Sequence, residues 1–87
     1  MKYKTLYETL KNTLEDLNTK EYSLKEYDIL FEKLVTIMYD INTSIKRSLR
    51  LEEEKEFDGF IKCLKLAGHI RLRAISLYRE KEKMESK

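Results

Sequence analysis

Proline, tryptophan and glutamine are absent from this sequence of 87 residues, which holds one cysteine, one histidine and two glycines. Each scarcity excludes something. Without proline, no helix meets a hard stop. Cys63 has no second cysteine for an internal disulfide or a zinc cluster, and a lone thiol suits a reducing, cytoplasmic compartment. His69 has no second histidine with which to hold a metal. Gly59 and Gly68 are too few for a phosphate loop or a dinucleotide fingerprint. Long apolar runs are missing too. The opening Met1-Lys2-Tyr3-Lys4-Thr5 has no apolar signal region, and no stretch approaches the roughly 18 apolar residues of a membrane span. The expectation is a cytoplasmic protein that neither is secreted nor crosses a membrane.

What is present is charge interleaved with apolar residues. Charged residues make up 39% of the chain, yet they form no tail, which argues against disorder. The Lys/Glu-rich, Gln-free balance suits a thermophile, and equally an AT-rich genome. Length implies one domain with a thin core. Charge varies along the chain: residues 52–60 hold five acids against one lysine, and residues 61–87 hold eight bases against three acids. Helix-dipole matching explains that order without a ligand. An anion-binding surface near the C-terminus is the sharper explanation, but a net charge of +2 is far from that of a typical nucleic-acid binder.

The apolar period is near 3.6 throughout, so the fold class is all-α. Tyr3, Leu6, Tyr7, Leu10, Leu14 and Leu17 form one narrow stripe, predicting a first helix over about 3–18; Thr5 to Glu8 fits a capping box. Ser23-Leu24-Lys25-Glu26 is a clear capping box opening a second helix over about 24–49, with Tyr22 placed to staple onto its first turn. A third helix is expected over about 52–83, either continuous or broken near Asp58–Gly59, with 84–87 frayed. The turn before it is placed near Ser48–Leu51. The arrangement predicted is a long antiparallel hairpin of helices two and three with the short first helix strapped over part of it.

The third helix carries the strongest signal. Its apolar residues from Phe57 to Tyr78 spread over an arc of roughly 240°, where a surface helix needs little more than about 100°. Phe57, Phe60, Ile61, Leu64, Ile75 and Tyr78 suit the other two helices. Cys63, Leu66, Ile70, Ala74 and Leu77 point elsewhere, and Cys63, Ile70 and Leu77 recur every seven residues, like a coiled-coil seam. Ala67, Gly68 and Ala74 would admit a close backbone. The narrow first helix looks insufficient to cover this strip, so the expectation is self-association through it into a homodimeric bundle. Otherwise the first helix wraps further and the chain stands alone. Asn42 and Arg71 lie within apolar arcs, either fixing register across the seam or reaching out to its edge.

No catalytic, cofactor or metal site emerges. Glu52, Glu53, Glu54 and Glu56 are dense but splay around a helix, and read as a solvated first turn. Cys63 and His69 fall about 120° apart on a helix and cannot pair within one chain. The pattern of inward-facing bases that small helical enzymes use across a dimer is missing. A non-enzyme follows: a helical protein-protein interaction module of the adaptor, inhibitor or immunity type, a look shared with mobile-element and viral proteins by fold-level analogy alone. The alternative is a nucleic-acid-binding protein. Lys62, Lys65, His69 and Arg73 share one stripe of the third helix, and Arg47 and Arg50 sit on the polar side of the second. A solvated face of a Lys-rich helix produces such a stripe without any ligand.

Overall fold

The structure, a computed structural model, describes residues 3–86. They form three α-helices, α1 Tyr3–Thr19, α2 Leu24–Arg50 and α3 Glu54–Glu85, with no strand among the described residues. All three helices match the periods read from the sequence, and their ends lie within a residue or two of the expected ones.

Local chemistry explains most ends. Helix α1 is already under way at Thr5, so the expected Thr5–Glu8 box does not form; Thr9 instead donates its hydroxyl to the Thr5 carbonyl at 3.0 Å. The Ser23 box does form: the Glu26 amide donates to Ser23 Oγ at 3.1 Å, and the Ser23 amide donates to Glu26 Oε1 at 3.0 Å. These bonds favour the ionised Glu26, whose pKa lies below the ordinary glutamate range. Tyr22 packs on Tyr27 with ring centroids 5.3 Å apart, which is the staple across the first turn of α2.

The turn between α2 and α3 falls at residues 51–53, later than expected. Glu52 donates its amide to the Leu49 carbonyl at 3.3 Å and Glu53 to the Ser48 carbonyl at 2.9 Å. This is a Schellman closure, and it puts Glu52 in the left-handed region at φ 56°. Glycine usually fills that position, so the break carries no glycine to mark it. Asp58–Gly59, the competing break, lies inside a continuous α3. Met84 and Glu85 are helical and Ser86 is a turn, while Lys87 of the expected frayed end lies outside the described residues.

Helix α3 is the central element. The Tyr3 carbonyl accepts from Cys63 Sγ at one end of α1, while Asn18 at the other end meets Arg73 and Glu21 just past it meets Lys81, so α1 runs parallel to α3. Helix α2 runs antiparallel, bringing Tyr27 and Phe31 to Tyr78 with ring centroids 6.1 and 5.9 Å away. Both α1 and α2 pack on α3, while their own backbones stay apart. The result is a slab of 54 × 19 × 15 Å. One core runs through it, built by Leu6, Leu10 and Leu17 of α1, Leu30, Leu34 and Ile41 of α2, and Phe60, Cys63, Ala67, Ile70 and Ala74 of α3.

The two glycines occupy opposite environments. A Cβ at Gly59 would run into the Tyr3 ring, whereas one at Gly68 would meet nothing within 4 Å. Gly68→Ala is therefore expected to raise stability by about 0.5–1 kcal/mol through helix propensity. Gly59→Ala is expected to lose that gain to the clash and to recover it in a Tyr3→Ala background. Urea titration of the four variants reads the difference directly.

Candidate functional site

The seam expected to receive a second copy is occupied by α1 of the same chain. Cys63, Ile70 and Ala74 are completely buried in the core, and Leu66 and Leu77 are half-buried against it. The physical reason is the small residues on α3. Gly59 and Cys63 sit directly beneath Tyr3, so even a narrow helix seats deeply. The premise that α1 is too slight to cover this strip is thus overturned. Gly68 is not a close-approach position, since the space beside it is open. Cys63 is a core residue: its thiol donates to the Tyr3 carbonyl at 3.4 Å, and burial pushes its pKa up.

The apolar excess reappears on the other side of the α2–α3 hairpin. There an open groove of about 600 Å³ runs between the two helices, with no residue of α1 in its walls. Phe31, Leu34, Met38 and Ile75 floor it, and Val35 and Tyr39 stand on its α2 wall, 69% and 73% exposed. Leu72, three residues from Ile75 and so its neighbour on the helix surface, is 67% exposed. Asn42 and Arg71 are both exposed and line this groove, so neither needs a buried partner. Tyr78 packs on Phe31, and the Asp28 carboxylate holds its phenol above the ordinary pKa. The apolar period of α2 singles out neither Val35 nor Tyr39 as a contact residue. The signal available was a pair of apolar residues four apart on a stripe of α2 that is otherwise polar or charged.

Of the basic positions, Lys62, Lys65, His69 and Arg73 are all exposed on α3. Arg73 Nε donates to Asn18 Oδ1 at 3.2 Å, and Lys62 borders a shallow depression with Tyr3, Tyr7 and Glu8. Arg47 and Arg50 are exposed on α2. Because α2 and α3 pack by their buried faces, the outer faces bearing these two sets point away from each other. One copy therefore presents two separate basic groups.

Among the described residues there is no cluster of three or more His, Cys, Asp or Glu side chains able to hold a metal. A cleft of about 220 Å³ between α1 and α2 is lined chiefly by Leu6, Ile37, Ile41 and Phe60, with Asp40 its one titratable group. Among the described residues no helix is long and apolar enough to cross a membrane. Comparisons with protein-family models, curated proteins and solved structures give no match for this chain.

Proposed function

We propose that the chain is a non-catalytic helical interaction module, at work in a reducing cytoplasm, that self-associates through the open face of its α2–α3 hairpin and in that form binds other proteins. The observation that carries this reading is the pair Val35 and Tyr39, each more than two-thirds exposed on the wall of an apolar groove that α1 leaves uncovered, with Leu72 of α3 exposed to a similar degree three residues from Ile75 in that groove. Scattered exposed apolar residues are ordinary; a contiguous apolar face rimmed by polar groups such as Asn42 and Arg71 is the mark of a contact surface.

Size supports the same reading. Helix α2 is about 40 Å long, and the slab is 19 Å across. A face of those dimensions offers on the order of 800 Å² per copy, which is what a standard interface buries. Tyr39 and Phe31 supply the aromatic anchors that dominate such contacts.

Light scattering tests the proposal. Wild type is expected at twice 10.5 kDa, and a Val35→Glu/Tyr39→Glu chain at 10.5 kDa with its helix content unchanged. Equal masses for the two would defeat it. Nucleic-acid binding remains the competing proposal, favoured by four exposed bases on α3 that have no acidic ion-pair partner among the described residues. It requires the wild type to retain DNA or RNA at low salt and release it as salt rises.

A further inference from the structure

The outer stripe of α2 inverts in charge about its midpoint. Asp28, Glu32, Val35, Tyr39, Asn42, Lys46 and Arg50 follow one another at steps of three or four residues, and all are exposed. Such steps align side chains along one side of a helix. Two acids lead, two bases close, and Tyr39 stands at the midpoint: positions 28 and 50 are each eleven residues from it, and positions 32 and 46 each seven. None of the four charged residues has an ion pair within the chain among the described residues.

Helix-dipole matching does not account for this order. That effect fades beyond the first and last turns. The first turn of α2 holds Glu26 and the last holds Arg47 and Arg50, so Asp28, Glu32 and Lys46 all lie outside them.

We propose that two copies of this chain pair α2 against α2 in antiparallel fashion, about a two-fold axis passing beside Tyr39. The proposal rests on the self-association reading above and gives it a geometry. In a two-fold contact, residue i meets residue j and j meets i. An axis at Tyr39 places Asp28 opposite Arg50 of the second copy and Glu32 opposite its Lys46, so the pairs occur twice each. The Tyr39 rings meet at the centre. Val35, Tyr39 and Asn42 also form the α2 wall of the open groove, so the same contact brings the second copy to the groove edge. A parallel pairing would instead set acid against acid and base against base.

Charge reversal tests the geometry. One chain carries Asp28→Lys and Glu32→Lys; the other carries Lys46→Glu and Arg50→Glu. All four positions are on the surface, so folding, checked by circular dichroism, is expected to survive. Each reversed chain alone turns every pair repulsive, and its homodimer dissociation constant is expected to rise by on the order of 100- to 1000-fold. Mixed in equal amounts, the two chains have every pair restored and are expected to form a one-to-one heterodimer. As a second readout, Tyr39→Cys is expected to form a symmetric disulfide dimer on mild oxidation, since the native Cys63 is buried. A monomeric wild type overturns self-association itself. A dimeric wild type with reversed chains that stay dimeric, or that separate without re-forming on mixing, overturns only the α2-to-α2 geometry.

Discussion

Ile70→Ala lowers the stability of the chain by about 2–5 kcal/mol. The side chain is fully enclosed in the core that all three helices share, so truncation leaves a cavity on top of the lost burial. At roughly 0.05–0.15 kcal/mol per residue, a chain of this size holds only about 4–13 kcal/mol in all. The loss is therefore a large fraction of the total. Ile70→Glu goes further, because a carboxylate at that position has no partner and no water. That variant is expected to unfold, not to split an assembly with its helices intact. Urea denaturation with an unchanged slope measures the first effect and far-ultraviolet circular dichroism the second. A folded Ile70→Glu chain would put this residue back on the surface.

Leu10→Ala loosens α1 and makes Cys63 reactive. Leu10 is completely buried and lies near the middle of α1, so its truncation is likewise expected to cost about 2–5 kcal/mol. That cost falls on the opening of α1, in which Leu10 leaves the core, because α1 covers the Cys63 side of α3 and makes no close backbone approach to α2. The native thiol is both enclosed and raised in pKa, so it reacts only when α1 lifts. If opening is a rapid pre-equilibrium, labelling by a thiol reagent should speed up by a factor of about 30 to several thousand. Val35→Ala, on the open side, is expected to leave the rate unchanged. Fast labelling of the wild-type chain would mean that α1 is not seated as described.

Much of the fold was legible because its signals are local. The Ser23–Glu26 box and the Tyr22 staple are fixed by residues within five positions of one another. The α2–α3 turn was misplaced by a few residues for an equally local reason: its left-handed position holds Glu52, while Gly59, which looks like a stop, serves to admit Tyr3. The candidate site was legible only in part. Periodicity showed that α3 has more apolar arc than one neighbour covers, but an arc does not say which neighbour lies on which side. Cys63, Ile70 and Ala74 looked like a free seam because α1 is narrow; depth of seating, set by small residues on α3, is a property of the packed pair. The open groove depends on where α1 is not, which no single helix reveals.

One measurement separates the two sides of the hairpin. Isotope-filtered NMR on a mixture of labelled and unlabelled chains records only contacts between copies. Cross-peaks are expected from the methyl groups of Val35, Met38 and Ile75, which line the open groove, and from Leu72, exposed on α3 three residues from Ile75. Cross-peaks from Leu66, Ile70 and Leu77, or none from either set at millimolar concentration, would contradict the assignment of the α2–α3 face as the contact surface.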